Sequence, residues 1–285
     1  MEKLHIEKNT IQETLVIPLY ARKLCTEIFP ELFSDPAAVA LIDRLDYDFS
    51  KIDKQSRSFM QRFGALEVAM RQTDLAIEVK EYLQEHPRAA VVNLGCGLDQ
   101  TGENCDNGTC LIYNVDMPDV IAVREQLLPP KERTRNISCD LNNSAWFREI
   151  DDSDGAVFFA SGVFYYFKIP DAQKLINKLA LAFPGGRLVF DTAGKAALKM
   201  MLKTFIKQAG IQNVDAFFHV GSIEEDVTPW LRHAKASSRG YMLGYHDLKE
   251  PCVPGFFRFL ARVGDHGMKM KILRLDFEHN YKKGL

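Results

Sequence analysis

The run Ala89-Ala90-Val91-Val92-Asn93-Leu94-Gly95-Cys96-Gly97-Leu98-Asp99 constrains this chain more than any other. Its apolar residues, bounded by His86-Pro87 and Gly95, suit a central parallel strand buried on both faces. A strand that runs straight into two glycines one residue apart needs a tight turn. Without Cβ atoms, Gly95 and Gly97 allow unusual backbone angles and let a ligand approach closely. A second apolar run, Leu111-Ile112-Tyr113-Asn114-Val115, ends at Asp116. That spacing, about 20 residues beyond the turn, is where a carboxylate meets a ribose in nucleotide-binding α/β folds. The dinucleotide fingerprint wants a third glycine where Gln100 stands, which weakens a nicotinamide or flavin reading.

Further strands are expected at 135–138, 156–160 and 187–191, with helices at 118–127 and 171–183. Five strands with intervening helices make a doubly wound, mostly parallel sheet the economical α/β architecture. Before the first strand, residues 10–45 read as helices interrupted near Pro18. One of them starts at Ser34-Asp35-Pro36, where a cap and a first-turn proline coincide. A longer helical pattern runs from 57 to 85 and contains Gly64 and Arg71. After 191 the sequence predicts a helix over 198–208 closed by Gly210, a strand over 214–220 and a helix over 223–232. A final alternating strand over 268–277 suits an antiparallel edge. The whole divides as one domain: an N-terminal helical cover (1–56), a ligand-binding core (57–220), a substrate-side insertion (221–265), and a last strand with tail (266–285).

The 285 residues include 46% apolar residues, enough for a sizeable core, and carry a formal charge of −2. That balance makes no electrostatic case for nucleic acid or an anionic membrane. The N-terminus lacks an apolar h-region, and no stretch approaches a membrane span, so a cytoplasmic protein with a small-molecule partner is expected. Six cysteines without a C-x-x-C pair or a histidine at metal-ligand spacing argue for reduced thiols and no metal site. Cys96, between the glycines, reads as a small filler. His219, His233, His246 and His266 read as surface or structural histidines, which leaves no catalytic base identified.

The run 91–99, together with Asp106-Asn107-Gly108, Tyr113-Asn114-Val115-Asp116-Met117-Pro118-Asp119 and the N-terminal stretches Ile17-Pro18-Leu19-Tyr20-Ala21-Arg22-Lys23 and Leu32-Phe33-Ser34-Asp35-Pro36, resembles the leucine carboxyl methyltransferase family. The likeness is greatest to its branch of polyketide O-methyltransferases and covers roughly residues 10–200. It implies a class I methyltransferase (Rossmann-like) fold with a seven-stranded sheet containing one antiparallel strand. It also implies S-adenosylmethionine as cofactor, with S-adenosylhomocysteine as product. By resemblance, Arg71 holds the methionine carboxylate, and Asn93, Gly95, Cys96 and Gly97 form the turn beneath the cofactor. Asp116 with Met117 meets the ribose, Asp140 and Leu141 flank the adenine, and Ser161 sits at the methionine end. Tyr20, Tyr165 and Tyr166 are expected on the acceptor side.

Two departures stand out. The family's arginines after Gly-Leu-Asp are missing from Gln100-Thr101-Gly102-Glu103-Asn104, which leaves the support of the loop open. Ser161 replaces the glutamate before Gly162 and so removes a negative charge from the methionine end. The activity implied is O-methylation of a carboxylate or hydroxyl on a polyketide-like metabolite. A non-catalytic S-adenosylmethionine-binding or regulatory protein and a protein carboxyl methyltransferase are the alternatives.

Overall fold

The computed structural model describes residues 3–6, 11–56, 58–202 and 216–279. Its centre is a seven-stranded sheet of β1 (Ala90–Leu94), β2 (Leu111–Asp116), β3 (Thr134–Ser138), β4 (Ala156–Ala160), β5 (Arg187–Thr192), β6 (Ala234–Gly240) and β7 (Lys271–Phe277). The spatial order is β3-β2-β1-β4-β5-β7-β6. Strands β1 to β5 pair in parallel, and β7 is antiparallel to both β5 and β6.

Alternation along each strand sends side chains to two faces. Val91, Ile112, Val157, Phe159 and Val189 share one apolar cluster with Leu66, Met70, Leu75 and Val79 of the long helix α4 (Phe59–Glu85). Val92, Tyr113, Phe158 and Phe190 share the other with Leu175, Ile176 and Leu179 of α7 (Ile169–Ala182). Every residue of β1 and β4 is buried, as two covered faces require.

Two short helices, α3 (Ser50–Ser56) and α5 (Thr101–Asn104), stand between the longer ones, and the remaining helices follow from local chemistry. Asp35 caps α2 (Pro36–Asp43) by accepting from the Ala38 amide, and Ser58 caps α4 by accepting from Gln61. Helix α1 (Ile11–Ile28) continues through Pro18 where the sequence suggested an interruption. Its buried face, with Val16, Leu19 and Cys25, packs on α2 and α4 and offsets the missing proline donor. Gly64 likewise leaves α4 unbroken. Leu4–His5 and Leu45–Asp46 form a short parallel pair beside the cover.

The C-terminal third departs from expectation in three places. Residues 216–220 form no strand, and 214–215 lie outside the described residues. The helix expected over 223–232 is the single turn Ile223–Asp226, which ends at Val227. Strand β7 is interior, because β6 covers its outer edge; β6 reads Ala-Lys-Ala-Ser-Ser-Arg-Gly, with no large apolar residue to announce it. The helix expected at 198–208 is described only as Lys195–Met201; Gly210 and residues 203–208 lie outside the described residues.

Candidate active site

The chain reverses direction across the sheet between β1 and β4, so the crevice beyond their carboxyl ends is the topological switch point, where ligands bind in open α/β folds. Two glycines shape it. Gly95, at φ +63°, leaves β1 so close to the next crossing that a Cβ would lie 2.6 Å from Val163 Cγ2. Gly162, at φ +72°, leaves β4 with room for Arg71; a Cβ there would lie 2.9 Å from its Nη1. Any side chain would be strained at either position and would close the crevice.

On the β2 side, Asp116 is half-buried and both its oxygens are oriented by backbone. Oδ2 accepts from Gly97 N at 2.8 Å and Oδ1 from Met117 N at 2.8 Å. Burial raises its pKa against those two hydrogen bonds. Each oxygen keeps a lone pair for a ligand hydroxyl. The Cys139 amide bonds to the Asp116 carbonyl at 2.8 Å, which brings the end of β3, and with it Asp140 and Leu141, alongside. Asp140 is exposed and folds into a turn in which Oδ1 accepts from Asn142 N, while Leu141 is buried.

The loop support left open by the missing arginines comes from elsewhere in the chain. Arg124, on α6 (Pro118–Leu127) and 1% exposed, donates to the carbonyls of Gly97 at 3.0 Å and Asp99 at 2.6 Å and pairs with Glu103 at 2.7 Å. Arg22, on α1, donates to the Leu98 carbonyl at 3.0 Å while paired with buried Asp35 at 2.8 Å. Asn93, Gln72 and Thr101 all donate to the Asp99 carboxylate. The loop is therefore clamped from four helices and the strand beneath it. Cys96 is buried beside it, and burial holds its thiol protonated, which suits a filler.

Across the crevice, Arg71 projects from α4. Its Nη1 donates to Asp191 Oδ2 at 3.0 Å, and Asp191 Oδ1 accepts from Gly162 N at 2.6 Å. Burial works against the Arg71 charge, but Tyr241, Asp191 and Tyr165 around it raise its pKa on balance. The guanidinium keeps its other edge: Nε is buried without a hydrogen-bond partner, and no described residue accepts from Nη2. A free Nε–Nη2 fork matches a carboxylate in bidentate fashion. The residues therefore fit the amino-acid and ribose ends of S-adenosylmethionine.

The structure gathers Asn93, Gly95, Cys96, Gly97 and Asp116 at one side of the crevice and Arg71 with Tyr165 at the other. Ser161 is half-buried at the end of β4, between them, and Met117 is exposed beyond Asp116. Tyr165 is buried against Asp191, whereas Tyr166 next to it is 38% exposed. Tyr20 sits inside the cover, stacked on Phe49, with its hydroxyl donating to Asp53 at 2.5 Å. Sequence reasoning missed Arg124, Asp191 and Tyr241. Only Asp191 carried a usable signal, as an acid at the end of a strand. His246, expected to be a surface or structural residue, is held at 2.7 Å by buried Asp74 of α4. Among the described residues no cluster of histidine, cysteine or carboxylates fits a metal ion, and no helix is long and apolar enough to cross a membrane.

The strand order with its single antiparallel strand, beside a crevice whose residues fit an amino-acid end and a ribose, is that of an S-adenosylmethionine-dependent methyltransferase fold. The model of the leucine carboxyl methyltransferase family matches residues 16–180, and the chain belongs to that family. It is 29% identical over 187 residues to the tetracenomycin polyketide synthesis O-methyltransferase TcmP of Streptomyces glaucescens, covering 65% of this chain and 67% of that protein. A candidate S-adenosyl-L-methionine-dependent methyltransferase of Parafrankia sp. (strain EAN1pec) is 30% identical over 159 residues, 49% of this chain and 50% of that one. In structure, a candidate methyltransferase from Thermobifida fusca YX superposes with a TM-score of 0.59 at 13% identity, covering 92% of this chain and 96% of that one. A DUF574 family protein from Streptomyces avermitilis gives 0.60 at 12% identity, covering 90% and 97%. These two likenesses bear on the fold alone.

Proposed function

We propose that this protein binds S-adenosylmethionine across the β1–β4 crevice and transfers its methyl group to an oxygen of a small molecule, with a carboxylate on a polyketide-like metabolite as the preferred acceptor. The observation that carries the reading is the pairing of a free Arg71 fork on one wall with an Asp116 carboxylate, oriented by Gly97 and Met117, on the other. When bound, the cofactor supplies a sulfonium-activated methyl group. The chain's part is to position. Arg71, fixed by Asp191, receives a carboxylate; Asp116 receives ribose hydroxyls; Arg124 and Arg22 keep the loop between them from shifting. Alignment of donor and acceptor accounts for much of the rate of an in-line displacement.

A carboxylate acceptor is supported by its own chemistry and by the family's description as leucine carboxyl methyltransferases, and a polyketide-like metabolite by the relative's name. It is ionised at neutral pH and needs no base, whereas a hydroxyl profits from one. His246, the histidine drawn into the polar interior, is committed to Asp74. Calorimetric titration with S-adenosylhomocysteine tests the cofactor reading, with dissociation constants in the micromolar range expected and none below millimolar refuting it. Incubation with S-adenosylmethionine and a panel of aromatic acids and phenols, read as a mass gain of one methylene, tests the acceptor class. Binding without transfer to any member would instead favour a non-catalytic binding protein.

A further inference from the structure

Arg71 is not the only group on its helix turned toward the crevice wall. Glu67 lies one turn earlier, and residues four apart share a helix face. Tyr241 is within electrostatic reach of both. Glu67 is half-buried, and among the described residues it has no hydrogen-bond or ion-pair partner. The groups facing it are already engaged or cannot serve: Arg71 is paired with Asp191, Asp265 of the 263–267 turn accepts from the Met242 and Leu243 amides, and Tyr241 is buried. Among the described residues, Arg71 thus stands near three carboxylates, Glu67, Asp191 and Asp265. The wall has a free guanidinium edge that lacks an anion and a carboxylate that lacks a cation. That set is complementary to the two charges of an α-amino acid.

We propose that Glu67 receives the α-ammonium of the cofactor's amino-acid end while Arg71 receives its carboxylate. This rests on the S-adenosylmethionine reading above. It also answers the charge lost at Ser161: the anion at this end of the crevice comes from α4 rather than from the end of β4. Desolvation supports the assignment, since burial pushes Glu67 up to about 7, partly offset by Arg71, a cost that an arriving ammonium removes.

The test uses calorimetry with two ligands, S-adenosylhomocysteine and its deaminated analogue 5′-S-(3-carboxypropyl)-5′-thioadenosine, on the wild type and on Glu67→Gln. The wild type binds S-adenosylhomocysteine about tenfold or more tighter than the analogue, and Glu67→Gln erases most of that preference while leaving analogue affinity unchanged. Titration at pH 6.5 in buffers of unequal ionisation heat gives proton release on S-adenosylhomocysteine binding for the wild type, and none for the variant or the analogue. Equal weakening of both ligands, as a purely structural role would give, overturns the proposal. So does loss of methyl transfer with S-adenosylhomocysteine affinity intact, which would put Glu67 on the acceptor. Failure of the wild type to bind S-adenosylhomocysteine removes the cofactor reading together with this one.

Discussion

Strands β1 to β3 and strands β5, β7 and β6 flank the same crevice, yet their ends are held by different means. On the β1–β3 side, charges are spent on the backbone: Arg124 and Arg22 grip the carbonyls of Gly97, Leu98 and Asp99, and Asp116 collects two amides. On the β5 side, charges face one another. Arg71 meets Asp191, His246 meets Asp74, and lower on α4 Glu78 and Glu81 meet Arg274, with Arg187 also pairing with Asp276. A loop whose backbone is clamped presents a fixed surface. A wall of paired side chains can change partners when a charged ligand arrives, and so answers to both ligand and pH.

The largest expected effect breaks the clamped side. Arg124→Met removes a buried cation and strands the Glu103 carboxylate and two carbonyls, which costs about 3–5 kcal/mol of unfolding free energy in urea titration. Adding Glu103→Gln, which removes the stranded charge, recovers at least about 1 kcal/mol. If Arg124→Met costs no more than an ordinary surface substitution, the loop is held by packing and the contrast between the two sides disappears.

On the other wall, Arg71→Ala leaves Asp191 without its cation and removes the free fork. Affinity for S-adenosylhomocysteine, measured calorimetrically, falls about 100-fold, and Arg71→Lys, which keeps the charge but not the fork, falls about tenfold. Equal losses for the two variants would mean that charge alone matters there. Asp116→Asn gives a smaller loss, about tenfold, since one oxygen becomes a donor facing the Gly97 amide. A ligand lacking both ribose hydroxyls shows a smaller loss, which separates ribose contact from loop distortion.

The two sides also differ in how far they could be read in advance. The strand, the glycine turn and the acid at 116 stand close together in the chain, and their alternation and spacing are imposed by backbone geometry. The β5 side draws on residues far apart: Arg71 meets Asp191 across 120 positions and His246 meets Asp74 across 172. No local pattern marks such pairs. Arg124 was hidden for a related reason. On α6 it reads as an ordinary basic residue of the last turn, and only the packing of that helix beneath the loop buries it. Strand β6 was missed because its extended form comes from backbone pairing with β7, and none of its own residues, mostly small and polar, is buried.

The smallest effect concerns pH and tests whether the paired wall is coupled to protons. Burial raises Glu67 to about 7, and the hydrogen bond to Asp74 raises His246. Both therefore bind protons more tightly folded than unfolded, where carboxylates titrate near 4 and histidine near 6.5. The stability from His246 is complete below about 6.5 and is lost as pH rises through its folded value. Glu67 adds a penalty that grows from about pH 4 and is complete above about 7. Both contributions have the same sign, so unfolding free energy falls between pH 5 and 8. Glu81 and Asp106, whose pKa values are lowered, act with the opposite sign but only as pH falls below about 4, outside this window. Glu67→Gln and His246→Gln each flatten the decline by about 1 kcal/mol between pH 5.5 and 8, measured by urea titration at each pH. Arg22→Met, on the clamped side, lowers stability by the same amount at every pH in that range. A decline left intact in both Gln variants would show that the paired wall does not exchange protons with the solvent over this range. Both sides of the crevice would then be equally rigid.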